Sequence, residues 1–404
     1  MHRQLRRIVP IITVFAWAIL WRGTQLHWLG DTVLAGWFHH SGRYFAEHGW
    51  ESYGLPMYPG FTAAYTHITP GPDWIQGLIA IVRPARVDEF SWHSLLTAGL
   101  SLMAVGFGIR AIARITSAWN GLPPSRDTIS VVGFLILTSG AIQVFSPQPY
   151  SLGTLLADVV NLYVVSLWCI EATPYGRWSG LAAFSIAFSF WMGLTPILSS
   201  ACWLAFAAFR FGDPHARRRR LVRLGAILAL TLALSGILKL WQNYAYLGSW
   251  HDFMIDTLGA LRARLGLGSM KGFEDFVAKR GGLAIDPEYD FSKHVVKLVL
   301  RTPYLFGALS ALVPYLLWRG RHAITGDRVA LTLVILAGLA WQIGMRHHAY
   351  HHIYLFRFML FPLALLALVF LERERDRTLM RRIVLAGWLQ LALLWGIALI
   401  PSIR

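Results

Sequence analysis

Cysteine is nearly absent from this sequence: there are two, Cys169 and Cys202, in 404 residues, and both fall inside apolar runs. That excludes a disulfide framework, and lone thiols in apolar runs do not make a metal site. Charge is scarce as well, at 14% of residues, with acids outnumbered by Lys and Arg 21 to 37. No internal repeat, low-complexity tract or linker long enough for a second soluble domain interrupts the chain, so residues 1–404 read as one membrane domain. The first apolar run, "IVPIITVFAWAILW", is followed by "WRGTQLHW" rather than a small-x-small cleavage site. It is therefore expected to stay as a span.

What the chain has in quantity is apolar side chains: 55% of residues are hydrophobic and 18 are Trp. Tryptophan suits both interfaces of a bilayer, where its ring is half wet. The net charge of +16 could suggest nucleic acid, so its placement decides the matter. Basic residues gather in short connectors between apolar runs: "RQLRR" (3–7), "ARRRRLVR" (216–223), "RGR" (319–321) and "RERDRTLMRR" (373–382). That is the positive-inside pattern of a membrane protein, and nucleic acid is excluded as a partner.

Runs of spanning or near-spanning length occur at 8–22, 91–112, 128–146, 152–171, 179–194, 197–210, 222–241, 302–318, 329–345, 353–371 and 383–400. The expected fold is all-α and polytopic, with about eleven transmembrane helices. With the N-terminus inside, nearly every Arg-rich connector falls on the cytoplasmic side. The pair 179–194 and 197–210 is short and interrupted at "GLTP" (193–196), as segments bordering a cavity tend to be. Two connectors are long, 23–90 and 242–301, and both carry amphipathic pieces suited to lying at the membrane surface over a lateral cavity.

Three polar clusters lie on the outer side of that topology. The first is "WLGDTVLAGWFHHSGRYFAEHGWE" (28–51), where Asp31 opens a helix as an N-cap or stands as a general base at the membrane surface. Arg43 and Glu47, four apart, suit a surface ion pair, and Glu51 follows them. The second, "PMYPGFTAAYTHITPGPDW" (56–74), holds Tyr65, His67 and Asp73 among Pro and Gly, which reads as rigid loop. The third is "MRHHAYHHIYLFR" (345–357), with Arg346, His347, His348, His351, His352 and Arg357. Its His pairs at i, i+4 fit a solvated connector, a metal site or an anion site. The nearest acids in sequence, in "ERERD", fall on the other face, which favours the anion.

An Asp-bearing loop after the first span, then "YTHITPGP" (65–72), "SPQPYSLGTLLADVVNLY" (146–163) with Asp158, and "HHIYLFRFMLFPLALL" (351–366) resemble the C-type glycosyltransferase superfamily. That group includes the protein mannosyltransferases and lipid A aminoarabinose transferase. The resemblance implies transfer of a hexosyl or pentosyl group from a polyprenyl-phosphate donor to a lipid, glycan or protein acceptor on the non-cytoplasmic face. Asp31 would be the base, with inversion at the anomeric carbon. Arg43, Glu47, Glu51, Tyr65 and His67 would bind acceptor or sugar. Arg346, the His residues of the third cluster and Arg357 would hold the lipid phosphate. Many members have two adjacent acids in the first loop, whereas Asp31 is followed here by Thr32. No cofactor is called for, and a divalent cation (Mg or Mn) is left open. A bacterial inner membrane, with the site facing the periplasm, suits the composition. The other readings are a transporter or flippase of lipid-linked sugars, a His-rich diiron enzyme, and a membrane acyltransferase.

Overall fold

A computed structural model describes residues 32–55, 57, 63–64, 66, 69–87, 89–143, 149–170, 175–211, 214–265, 267, 270–280, 290–320, 327–345, 349, 353–374 and 376–399. Every regular element among them is helical. In chain order they are α1 (Thr32–His48), α2 (Gly71–Ile81), α3 (Glu89–Asn120), α4 (Arg126–Thr138), α5 (Gly140–Gln143), α6 (Pro149–Ile170), α7 (Tyr175–Met192) and α8 (Pro196–Arg210). There follow α9 (Arg217–Leu247), α10 (Trp250–Leu265), α11 (Phe273–Lys279), α12 (Phe291–Phe306), α13 (Ala308–Arg319), α14 (Arg328–Gly344), a 3-10 turn (Ile353–Met359), α15 (Leu360–Glu374) and α16 (Arg377–Leu399).

Apolar runs became helices because a backbone without water must satisfy its own hydrogen bonds. Leu95–Asn120, Leu152–Cys169 and Arg217–Leu247 are long and apolar enough to cross a membrane, and α12 with α13 adds a fourth if that pair counts as one span. Pro196–Arg210 and Arg328–Gly344 are apolar but shorter. The first expected span, 8–22, lies outside the described residues. Fewer helices than the expected crossings thus reach full spanning length in one piece.

Two runs expected to be single helices are broken. Residues 128–146 divide at Ser139, which is extended (φ −69°, ψ 144°). The freed carbonyls are met locally: the Ser139 hydroxyl donates to the Ile136 carbonyl (2.6 Å), and Gln143 Nε2 donates to that of Leu137 (2.6 Å). Residues 302–318 divide at Gly307, where α12 and α13 meet at 102°. Gly307 has φ +51° and ψ −129°, and a Cβ there would overlap the Gln390 side-chain amide. That same amide donates to the Tyr304 carbonyl (3.3 Å). Gly307→Ala is expected to lower stability by roughly 2 kcal/mol or more through backbone strain and overlap. Thermal unfolding in detergent measures this, and an unchanged midpoint would refute it.

Helix α15 is hydrophobic on all sides and buried from Leu360 to Glu372, which puts it at the centre of the main core. Around it pack residues of α3, α4, α6, α8, α13 and α14. A smaller cluster of Val164, Trp178, Ala182, Ile186, Leu204, Ala208 and Leu224 joins α6 to α9. Polar contacts tie the ends of α3, α8, α13 and α15 together. Asp327 accepts from Trp119 Nε1 (3.1 Å) and pairs with Arg210 (3.2 Å), Glu372 accepts from Ser125 N (2.8 Å), and Arg319 pairs with Glu374 (3.1 Å). The candidate site lies at the opposite end.

Candidate functional site

Helix α2 covers the expected amphipathic piece "PDWIQGLIAIV" but begins inside the stretch expected to be rigid loop. Gly71 and Pro72 open it, and a proline in the first turn gives up only an N–H that would have no helical partner. The loop reading of residues 71–74 is therefore corrected: Asp73 and Trp74 are helical. The start of α2 wedges between the end of α7 and the start of α6. A Cβ on Gly71 would strike the Trp191 carbonyl, and one on Gly153 would come within 2.8 Å of Pro72. Trp74 stacks on Trp191 (5.6 Å, 23°) and donates from Nε1 to the Gly54 carbonyl (3.0 Å).

Next to Gly153, Thr154 accepts a hydrogen bond from the Arg357 guanidinium. Arg357 is only 3% exposed, and its charge acts on Asp158, one turn further along α6. Asp158 also accepts from the Ser199 hydroxyl on α8 (3.3 Å). Neighbouring Phe356 packs edge-on against Phe306 at the α12–α13 bend (5.2 Å). Two segments far apart in sequence, one from the first loop and one from the late His/Arg cluster, thus converge on consecutive residues of α6. One turn below, Asn161 donates to Ser189 (3.1 Å) and accepts from Ser200 (2.8 Å) and Ser185. That seam joins α6, α7 and α8 by polar contacts of the kind that hold apolar helices together.

Other predicted residues stand apart from this convergence. Arg43 and Glu47 form the expected i, i+4 pair (3.7 Å) with both side chains about half exposed, and Glu51 is exposed. Exposed pairs of this kind contribute little to stability. Asp31, Tyr65, His67, Arg346, His347, His348, His351 and His352 lie outside the described residues. Among the described residues no group of three or more His, Cys, Asp and Glu could hold a metal ion.

A carboxyl group that the sequence reading placed in a loop and gave no role, Asp73, stands beside the site. Asp73 is 1% exposed, and among the described residues its oxygens and the adjacent Ser41 hydroxyl on α1 have no hydrogen-bond partner at bonding distance. Burial pushes its pKa up from 3.8 to about 8, against the opposing pull of Ser41 and of Lys239 on α9. Nearby, His93 Nδ1 bonds to Gln76 Oε1 (2.8 Å), which links α2 to α3. An acid with a raised folded-state pKa costs stability as pH climbs from its free value of 3.8, and the cost is complete near about 8. Packing of α1 on α2 is therefore expected to weaken between those limits, and Asp73→Asn to flatten the decline. Unfolding midpoints at about pH 5 and about pH 9 measure it; equal slopes in both proteins would refute it. A buried Asp at the start of an apolar helix was the available signal.

No protein-family model matches the chain, and no curated protein matches its sequence. Solved structures do. The chain superposes on an oligosaccharyltransferase of Archaeoglobus fulgidus in complex with zinc and sulfate, with TM-score 0.51 and 14% identity over 98% of this chain and 52% of that one. It also superposes on the archaeal oligosaccharyltransferase AglB of that organism, in complex with an inhibitory peptide and a dolichol-phosphate. There the TM-score is 0.52 and identity 14%, over 99% of this chain and 55% of that one. The chain spans about half the length of these structures. It has the C-type glycosyltransferase (GT-C) fold expected from the sequence.

Proposed function

We propose that this GT-C chain is a membrane glycosyltransferase that moves a sugar from a polyprenyl-phosphate donor to an acceptor hydroxyl. It works as one membrane domain with about eleven crossings, in a bacterial inner membrane, with its site on the periplasmic side. The observation that carries this reading is the meeting of α2 and the Arg357 turn on Gly153 and Thr154 of α6. It supports a site with an acceptor half built from the first loop and a donor half built from the late cluster. That AglB structure contains a dolichol-phosphate, which supports a lipid-linked phosphate as the donor's handle.

The chemistry is a single displacement. The acceptor oxygen attacks the anomeric carbon, the bond from that carbon to the phosphate oxygen breaks, and the electron pair leaves on the phosphate. Asp31 takes the acceptor's proton, a role in which a positioned carboxylate supplies about 10²–10⁴-fold. Arg357, with Arg346 and His347, His348, His351 and His352, stabilises the charge that gathers on the departing phosphate. Fixed cationic donors at such a position contribute a few kcal/mol. Tyr65 and His67 bind the sugar and the acceptor, whereas the exposed Arg43, Glu47 and Glu51 stand apart from the convergence on α6 and take no part in the step. The archaeal enzyme's structure with zinc raises the question of a metal here. The described residues gather no ligand set, so no step is routed through one.

The test is to incubate the purified protein with a panel of polyprenyl-phosphate sugars and candidate acceptors. Release of free polyprenyl phosphate, matched by glycosylated acceptor, is the expected result. Donor binding without release across the panel would point to transport instead.

A further inference from the structure

Helix α12 is set apart by its direction and by the order of residues around it. It turns off α13 at 102°, close to perpendicular. With 12 residues, α13 rises only about 18 Å, well short of a hydrocarbon core of about 30 Å. The chain therefore turns sideways at Gly307 instead of completing a straight crossing.

The faces of α12 suit the boundary between lipid tails and headgroups. His294, Leu305 and Phe306 turn inward and are buried, with His294 bonded to Gln342 of α14 (3.3 Å). Phe291, Val295, Val296, Val299 and Leu300 are exposed, an apolar strip with no protein packed over it among the described residues. Lys293, Lys297 and Arg301 recur every fourth residue, so at 100° per residue they form one stripe between the buried face and the apolar strip. Asp290 caps the helix by accepting from Lys293 N (3.0 Å) and pairs with its ammonium (3.4 Å). The Lys293 side chain is still 71% exposed, and within residues 290–301 the three cations share the helix with Asp290 as the acid. An apolar strip flanked by a row of cations is the pattern that binds an acidic lipid surface.

We propose that α12 is a seat for acidic phospholipid headgroups of the leaflet on the site's side, with Lys293, Lys297 and Arg301 meeting the phosphates and the Val/Leu strip entering the tails. This goes beyond the glycosyl-transfer reading and does not depend on it, because lipid binding is read without any sugar donor.

The experiment compares the purified full chain in nanodiscs of phosphatidylcholine alone and with phosphatidylglycerol. Lipid retention is followed by native mass spectrometry, and backbone hydrogen exchange is followed over residues 291–306. Expected are preferential retention of phosphatidylglycerol and slowed exchange in α12. Lys293→Gln/Lys297→Gln/Arg301→Gln is expected to weaken this retention about a hundredfold at low salt. Lys293→Arg/Lys297→Arg is expected to keep it, which separates lost charge from lost folding. Three results would overturn the proposal. One is equal retention of the two lipids at α12. Another is an unchanged triple variant, with phosphatidylglycerol lost only when Arg218, Arg219 and Arg223 at the other end are replaced. The third is protection of α12 by a short-chain prenyl phosphate but not by phosphatidylglycerol.

Discussion

Asp31→Asn is expected to slow sugar transfer by about 10²–10⁴-fold while leaving donor binding intact. The substitution suits the question because Asn keeps the shape of Asp and caps a helix about as well. Thr32, the next residue, is the first of α1, so a capping role for Asp31 would survive the change. Only the capacity to accept a proton is removed. The initial rate of polyprenyl-phosphate release measures it, with donor affinity determined alongside. A rate within about threefold of the unaltered protein would remove the base from the reaction and favour a chain that carries lipid-linked sugars without breaking them.

The second large effect concerns Arg357, where a single substitution would mislead. Arg357 and Asp158 are each 3% exposed and act on each other through charge, so removing Arg357 leaves a buried acid without its nearby cation and Thr154 without that donor. Arg357→Gln alone is expected to lose both transfer and stability. Asp158→Asn with Arg357→Gln should recover most of the stability, because replacing both charges avoids the uncompensated one. Transfer should remain lost in the double variant, since the cation proposed to face the phosphate is gone. Unfolding midpoints and transfer rates on the single and double variants separate the two roles. A double variant that transfers sugar normally would reduce Arg357 to a structural tie between the 3-10 turn and α6.

The legible part of this fold was written in local hydropathy. The break at "GLTP" was visible because Gly and Pro interrupt an apolar run, and α7 does end at Met192 with α8 starting at Pro196. The break at Gly307 carried a weaker mark, a lone Gly after Pro303, and what makes it a bend is the amide of Gln390 from a distant helix. Hydropathy could place Asp158 inside a span but could not pair it with Arg357, because the Thr154–Arg357 contact joins residues 203 apart. Asp73 was misread for a different reason. Pro and Gly before it signal a loop when taken as breakers, but the same Pro at a first turn signals a helix start.

The unbroken burial of α15 has a mechanical consequence. Arg357 sits on a turn that runs directly into this helix, so its backbone is anchored to the buried core. Helix α1, by contrast, leans on α2 across the buried polar groups Asp73 and Ser41. If Arg357 holds the phosphate as proposed, α1 is the side of the site expected to yield, bringing the hydroxyl to the sugar.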